Sequence, residues 1–381
     1  MVTRKIRQKI HKSEKSCLIL GPRQVGKSTL VNELKPKLCI NLADELQYID
    51  YSTDSGKLEK MIELTSASTI FIDEVQRLPS LLNTVQYLID KNKKLKFYLT
   101  GSSARKLKRG KANLLPGRLF DYKMGPLTAT ELGVDFDIQK ALSVGLLPEI
   151  YLNSNRSEAV KLLKSYSATY LKEEIKAEAL TRNLESFARF LIESVHSTSQ
   201  FVDFTKFAKK AKISRHAVPR YFEILEDTMI GYRLYACSEF AEEFSLIKHP
   251  RFYFFDCGVY NGLLGNFEPS LDRVGVLSEQ LVFNQLLHSA WANDEDIEIS
   301  TFRQSKGVEI DFIVKHKNIL SAIEVKNSDR IQTDDLDGLL FLKKKSTKVK
   351  NFYIFHMGTK ETKMGAIWCL PLQKGLGELG L

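Results

Sequence analysis

Apolar stretches of two kinds alternate along the chain and divide it into regions. In the first third they are short: SCLIL at 16–20, TIFI at 69–72 and LKFYL at 95–99. Runs of this length, rich in β-branched and aromatic side chains, predict strands of a buried sheet. From about residue 137 the spacing becomes helical. RSEAVKLLKSYSATYLKEEIKAEAL (156–180) predicts one long amphipathic helix or a helix pair, with Leu162, Leu163, Tyr166, Tyr170 and Ile175 along its apolar stripe. Segment 200–234 has a helix-turn-helix rhythm: a helix over 204–211, Ser214 as an N-cap, a second helix over 215–227, and GYRLYAC as the strand of a wing. The last third begins with the strand FYFFD and a strongly amphipathic helix over 276–290. Strands near 297–303, 308–315 and 319–326, a helix near 333–343, and the strands NFYIF and AIWCL follow.

One stretch breaks its own pattern. In GVEIDFIVKHKNILSAIEVKNS (307–328) two apolar runs flank the polar KHKN, which predicts a hairpin. Asp311 interrupts the first run, and Glu324 and Lys326 interrupt the second. With His316-Lys317 as the turn, side-chain alternation puts Glu309, Asp311, Ala322, Glu324 and Lys326 on one face. Ile310, Phe312, Val314, Ile323 and Val325 then fill the other. Three carboxylates crowded together repel unless a divalent cation or the lysine neutralises them. Asp311 and Glu324 are therefore candidate ligands of Mg2+ or Mn2+, and Lys326 a candidate to position or activate a water. The plainer reading is an amphipathic strand with a solvated charged face.

The first third carries a second chemistry. Gly21-Pro22-Arg23-Gln24-Val25-Gly26-Lys27-Ser28 is a complete P-loop in its required setting, after a strand and before a helix that opens with Ser28 and Thr29. The glycines let backbone N–H groups wrap phosphates, and the helix N-terminus adds its positive end. Lys27 would reach the β- and γ-phosphates of ATP and Ser28 would ligate Mg2+. Asp73 at the end of TIFID is the magnesium-side carboxylate, and Glu74 the residue to orient or deprotonate the attacking water. Thr100, at the tip of LKFYLTGSS, is placed either to sense the γ-phosphate or to serve in ordinary turn chemistry.

Composition narrows the partners. With 381 residues, 43% apolar and 27% charged, the chain is a multidomain globular protein, and no apolar run approaches the ~20 residues of a membrane span. The basic N-terminus precedes no apolar segment of signal-peptide length. A net charge of +10 favours an anionic partner, DNA before an acidic membrane. Lys209, Lys210, Lys212, Arg215, His216 and Arg220 would gather near the start of the second helix of the helix-turn-helix, and 105–111 and 342–350 are further basic blocks. Five scattered cysteines without a CxxC pair point to a reducing, cytoplasmic setting and to no structural zinc.

The P-loop, FIDEVQ, LTGSS, LPGR and PLTATEL occur here in the order found in a family of prokaryotic AAA-type ATPases, which this chain resembles over essentially its whole length. That family carries a C-terminal region similar to PD-(D/E)XK nucleases, whose α-β-β-β-α-β core the last third resembles. The resemblance implies an α/β chain: an AAA/RecA-like P-loop core (1–135), a helical lid (136–198), a winged-helix-like segment (199–240) and a restriction-endonuclease-like domain (241–381). It makes Arg118 of LPGR the arginine finger, acting in cis or from a neighbouring copy in a homo-oligomer, and Glu279 an additional acid of the metal site. The function implied is ATP hydrolysis coupled to DNA binding or metal-dependent DNA cleavage. The alternative is a non-cleaving, nucleotide-driven switch that binds DNA or a protein.

Overall fold

A computed structural model describes residues 2–102, 117–167, 184–305 and 307–381. They fall into two compact units. One comprises Met1–Pro126, Asp227–Ile230 and Trp291–Asp294; the other comprises Leu127–Glu226, Gly231–Ala290 and Glu295–Leu381. Among the described residues no helix is long and apolar enough to cross a membrane.

The first unit is built on a parallel sheet of β1 (Ser16–Leu20), β2 (Leu38–Asn41), β3 (Thr69–Asp73), β4 (Lys96–Gly101) and β5 (Leu119–Lys123), in the order β2-β3-β4-β1-β5. Every residue of β1 is buried, as the unbroken run SCLIL predicts for a strand covered on both faces. Because β4 and β5 flank β1, the chain reverses its winding there, and loops at the carboxyl end of such a strand open a crevice for ligands. The P-loop leaves β1 at that end. β4 also separates β1 from β3, which sets Thr100, one residue before its end, between the P-loop and Asp73.

The second unit holds the helix-turn-helix and a larger sheet. Helices Phe204–Ala211 and Ala217–Asp227 lie on either side of Ser214, whose hydroxyl accepts the N–H of Ala217 at 3.2 Å. Their inner faces meet the helix Leu184–His196 through an aromatic cluster of Phe187, Phe190, Phe207, Tyr221 and Phe222. β6 (Gly231–Leu234) then pairs antiparallel with β7 (Arg251–Phe254). Of the stripe expected over 156–180, Leu163 and Tyr166 are buried and Leu162 half-buried on or just after the helix Arg156–Ser165. Tyr170 and Ile175 lie outside the described residues.

After the helix Val274–Ala292 come β8 (Ile297–Arg303), β9 (Glu309–His316), β10 (Ile319–Lys326), the helix Asp337–Lys345, β11 (Asn351–His356), β12 (Thr362–Met364) and β13 (Ile367–Pro371). The six strands form one mixed sheet in the order β12-β13-β11-β10-β9-β8. Apart from the short β12, which the apolar pattern is too brief to announce, and the closing helix Leu372–Glu378, the element order is the one read from the sequence.

The hairpin differs from expectation in two ways. His316 pairs with Ile319, so the turn is Lys317-Asn318 and not His316-Lys317. Both turn residues have positive φ, +49° and +63°, the twist that a two-residue hairpin favours and that asparagine tolerates. The slip is two residues, so parity within the hairpin survives it. A second irregularity does not preserve parity. Ser300 pairs with Ile313 but Phe302 with Ile310, so Thr301 alone on β8 opposes both Asp311 and Phe312. Ile310 consequently packs with Ile313, Leu320, Ala322 and Leu339, while Phe312 packs with Tyr253 and Phe283. The two-face partition predicted by simple alternation is corrected by this bulge, with Asp311 at its centre.

Asp256 gives this unit a pH-sensitive joint. It caps the helix Cys257–Leu264 by accepting from Val259 N–H at 3.0 Å, and its other oxygen takes Leu146 N–H at 2.7 Å. Burial pushes its carboxyl up from the ordinary 3.8 to about 6, against the pull of those backbone donors. A raised carboxyl stabilises the fold below its unfolded value, and that contribution fades as pH rises through about 6. The Asp256→Asn variant should therefore gain on the wild type between about pH 4 and pH 7, by about 3 kcal/mol, seen as a converging or crossing pair of Tm-against-pH curves. Parallel curves would show that the carboxyl does not titrate in that range.

Candidate functional site

At the P-loop, each glycine is required by a different constraint. A Cβ on Gly21 would run into the carbonyl oxygen of Met124, and Gly26 sits at φ +93° just before the helix Lys27–Asn32. Gln24, exposed, also adopts positive φ (+60°), while Pro22 and Val25 are buried, Arg23 is half-buried and Thr29 faces outward on the helix. The Lys27 ammonium is buried and donates to the carbonyls of Gly21 (2.8 Å) and Pro22 (2.7 Å). It thus lies across the loop it would share with phosphates.

The strand tips complete the cradle. The Ser28 hydroxyl donates to Asp73 Oδ2 at 2.6 Å, and the fully buried Thr100 hydroxyl donates to Asp73 Oδ1. Glu74, in left-handed backbone at φ +56°, turns its N–H onto Asp73 Oδ1 at 3.1 Å. Gln76 then bridges: its amide donates to Glu74 Oε2 and to Ser102 Oγ, the latter at 3.0 Å. A hydroxyl and a carboxylate 2.6 Å apart, backed by a threonine, are hard oxygen donors suited to Mg2+ beside phosphates. The residues present fit the ion and the nucleotide.

Two contributors were given no role by the sequence. Gln76 is part of FIDEVQ but its link to Glu74 depends on the one-turn 3-10 helix Val75–Arg77. Arg4, buried in the N-terminal basic segment, donates to Val25 O at 2.7 Å and to Gly125 O at 2.8 Å, tying the P-loop to the chain beyond β5. Arg118 is held elsewhere: its guanidinium makes a bidentate pair with Asp90 on the helix Leu81–Lys91, with Nε–Oδ1 2.9 Å and Nη2–Oδ2 2.9 Å.

The carboxylates of the C-terminal unit do converge, but on an arginine. Arg251, at the start of β7 and buried, places Nη1 3.0 Å from Asp311 Oδ1 and 3.3 Å from Glu279 Oε2, while Nη2 pairs with Glu309 Oε1. Asp311 Oδ2 accepts the N–H of Val325 at 2.9 Å. Glu279 Oε2 also accepts from Ser199 and from Tyr253 OH, the latter at 3.2 Å. Glu324 lies beside this group: burial, then the Asp311 charge, push its carboxyl up, while Lys326 at 3.2 Å pulls it down. Burial and Asp311 likewise raise Glu279, against Arg251. Lys326 also reaches Asp335 at 3.3 Å. Among the described residues, no three His, Cys, Asp or Glu side chains are disposed as a metal site.

On the helix-turn-helix, Lys209, Lys210, Lys212, Arg215, His216 and Arg220 are all exposed, with Lys210 3.5 Å from Glu193. Of the other basic blocks, 105–111 lies outside the described residues, and Lys343, Lys344 and Lys345 are exposed at the end of their helix.

Comparison with known proteins agrees on the first region and leaves the rest open. Residues 13–133 match the family model of an AAA domain; 135–270 and 274–374 match two domains of unknown function, DUF8612 and DUF4143. Uncharacterized proteins of Mycobacterium tuberculosis and Mycobacterium bovis are each 24% identical over 331 residues, covering 82% of this chain and 72% of theirs. Among solved structures, the replication initiator DnaA bound to AMPPCP and single-stranded DNA shares 11% identity over 59% of this chain and 86% of its own, at a TM-score of 0.27. The Hsp104–ADP complex of S. cerevisiae shares 11% over 76% and 42%, at 0.28. Scores this low carry no weight for the fold. The family match and the parallel sheet with its P-loop together identify residues 13–133 as an AAA-type, nucleotide-binding α/β domain.

Proposed function

We propose that the chain is a Mg2+-dependent ATPase whose nucleotide cycle controls binding to DNA. The observation that carries the ATPase reading is the Asp73 carboxylate, held by Ser28 on one oxygen and by Thr100 on the other, beside a P-loop lysine. Ser28 and Asp73 would hold the magnesium that accompanies ATP, which supplies charge neutralisation at the phosphates. The backbone N–H groups of 23–29 bind the phosphate oxygens, and Lys27 trades the Gly21 and Pro22 carbonyls for the β- and γ-phosphates. Glu74 takes the proton of the attacking water, and Gln76 fixes the carboxylate that takes it. Arg118 would serve as a finger, in this copy or a neighbouring one, only after leaving Asp90.

The DNA half of the proposal rests on the exposed cations of the helix-turn-helix together with the net charge of +10. Anisotropy of a labelled duplex should report saturable binding that weakens steeply with salt and changes between ATP and ADP. The triple variant Lys209→Ala, Lys212→Ala, Arg215→Ala should bind at least about tenfold more weakly, with a log–log salt slope shallower by about 2 to 3. Absence of binding at low salt would move the reading to a protein partner.

A further inference from the structure

We infer that the guanidinium of Arg251 is the resident counter-cation of the C-terminal carboxylate cluster and stands where a divalent metal would, so that this unit does not load metal. Asp311, Glu279 and Glu309 each place an oxygen on Arg251, with Asp311 at 3.0 Å and Glu279 at 3.3 Å. The spare oxygen of Asp311 is spent on the N–H of Val325 (2.9 Å), and the second oxygen of Glu309 faces Arg303 Nε at 3.4 Å. A magnesium or manganese ion takes one or two carboxylate oxygens about 2.1 Å away and fills its remaining positions with water, so it needs a carboxylate here with an oxygen to spare. Here those oxygens point at nitrogens of a planar fork, and a cation with five donors satisfies them without dehydrating an ion. Lys326, the candidate to activate water, is likewise occupied by Glu324 and Asp335.

The fold sets Arg251 there and makes it hard to displace. Arg251 and Tyr253 share one face of β7, and Tyr253 donates to the same Glu279 oxygen. The guanidinium also lies over the ring of Phe201, its carbon 5.0 Å from the centroid. Burial strengthens the pairing: with little water present, removing the guanidinium would leave like charges facing each other.

Mn2+ titration of the full chain without nucleotide, followed by the EPR signal of free Mn2+, tests this. Wild type and Asp311→Asn should take up the same number of equivalents. Arg251→Met should gain one equivalent over wild type, and lose it again in Arg251→Met/Asp311→Asn. Mn2+ should also raise the Tm of Arg251→Met but not of wild type. A wild-type equivalent that Asp311→Asn abolishes overturns the inference. So does a folded Arg251→Met that gains none. Should Arg251→Met fail to fold, the comparison of wild type with Asp311→Asn decides alone.

Discussion

Lys27→Ala should leave a folded chain that releases phosphate from ATP about 10²- to 10³-fold more slowly than wild type. The size follows from where the ammonium sits. It is buried, and it donates to the Gly21 and Pro22 carbonyls of the P-loop backbone. When phosphates take those carbonyls' place, the same ammonium faces charge that grows on the transferred group, in a cleft with little water to screen it. Alanine removes that stabilisation without disturbing Asp73, Ser28 or Thr100. Glu74→Gln provides the complement. Glutamine keeps the shape beside Gln76 but cannot take a proton, so nucleotide affinity should hold while turnover falls by about 10²-fold or more. Phosphate release and fluorescent-nucleotide binding on the same preparations check both. Full turnover in Lys27→Ala, or equal loss of binding and turnover in Glu74→Gln, would sink the assigned roles.

These proposed roles could be read from the sequence because P-loop chemistry is local. Eight consecutive residues set the glycines, the lysine and the serine, and one strand end sets Asp73 and Glu74. What β4 contributes is less local: only the strand order puts Thr100 against Asp73, and apolar runs do not declare their order in a sheet. Gln76 and Arg4 escape notice for a different reason. Both act through hydrogen bonds to backbone or to neighbouring side chains, and neither residue type stands out by spacing.

The hairpin shows a sharper limit. Alternation predicts faces only while a strand stays regular, and the bulge opposite Thr301 breaks that regularity at Asp311 itself. The charges were therefore recognised as a group, but their neutraliser was not. Arg251 is 60 residues from Asp311 in sequence and reaches it through the packing of β7, which a reading limited to the hairpin and its preceding helix does not contain. A visible hint was present: Arg251 opens the otherwise apolar run FYFF, where an unpaired charge would be costly.

Arg251→Met should be the most destabilising single change in the C-terminal unit, by about 3–5 kcal/mol, because it strands buried carboxylates without their partner. Methionine fills much of the same volume, so the loss is one of charge and not of packing. Glu279 is the informative second site: burial and Asp311 already push its carboxyl upward, and Arg251 is what opposes them. Removing its charge as well, in Arg251→Met/Glu279→Gln, should recover part of the loss, so the double variant unfolds at a higher denaturant concentration than Arg251→Met alone. The reverse order makes the same point. Glu279→Gln in the wild-type background should cost less, since Asp311 and Glu309 still hold the guanidinium at 3.0 Å and through the second nitrogen. A coupling energy of at least about 1 kcal/mol between the two positions is expected from a buried, hydrogen-bonded pair. Strict additivity would mean that Glu279 and Arg251 do not sense each other, and that the cluster is balanced by something other than its arginine.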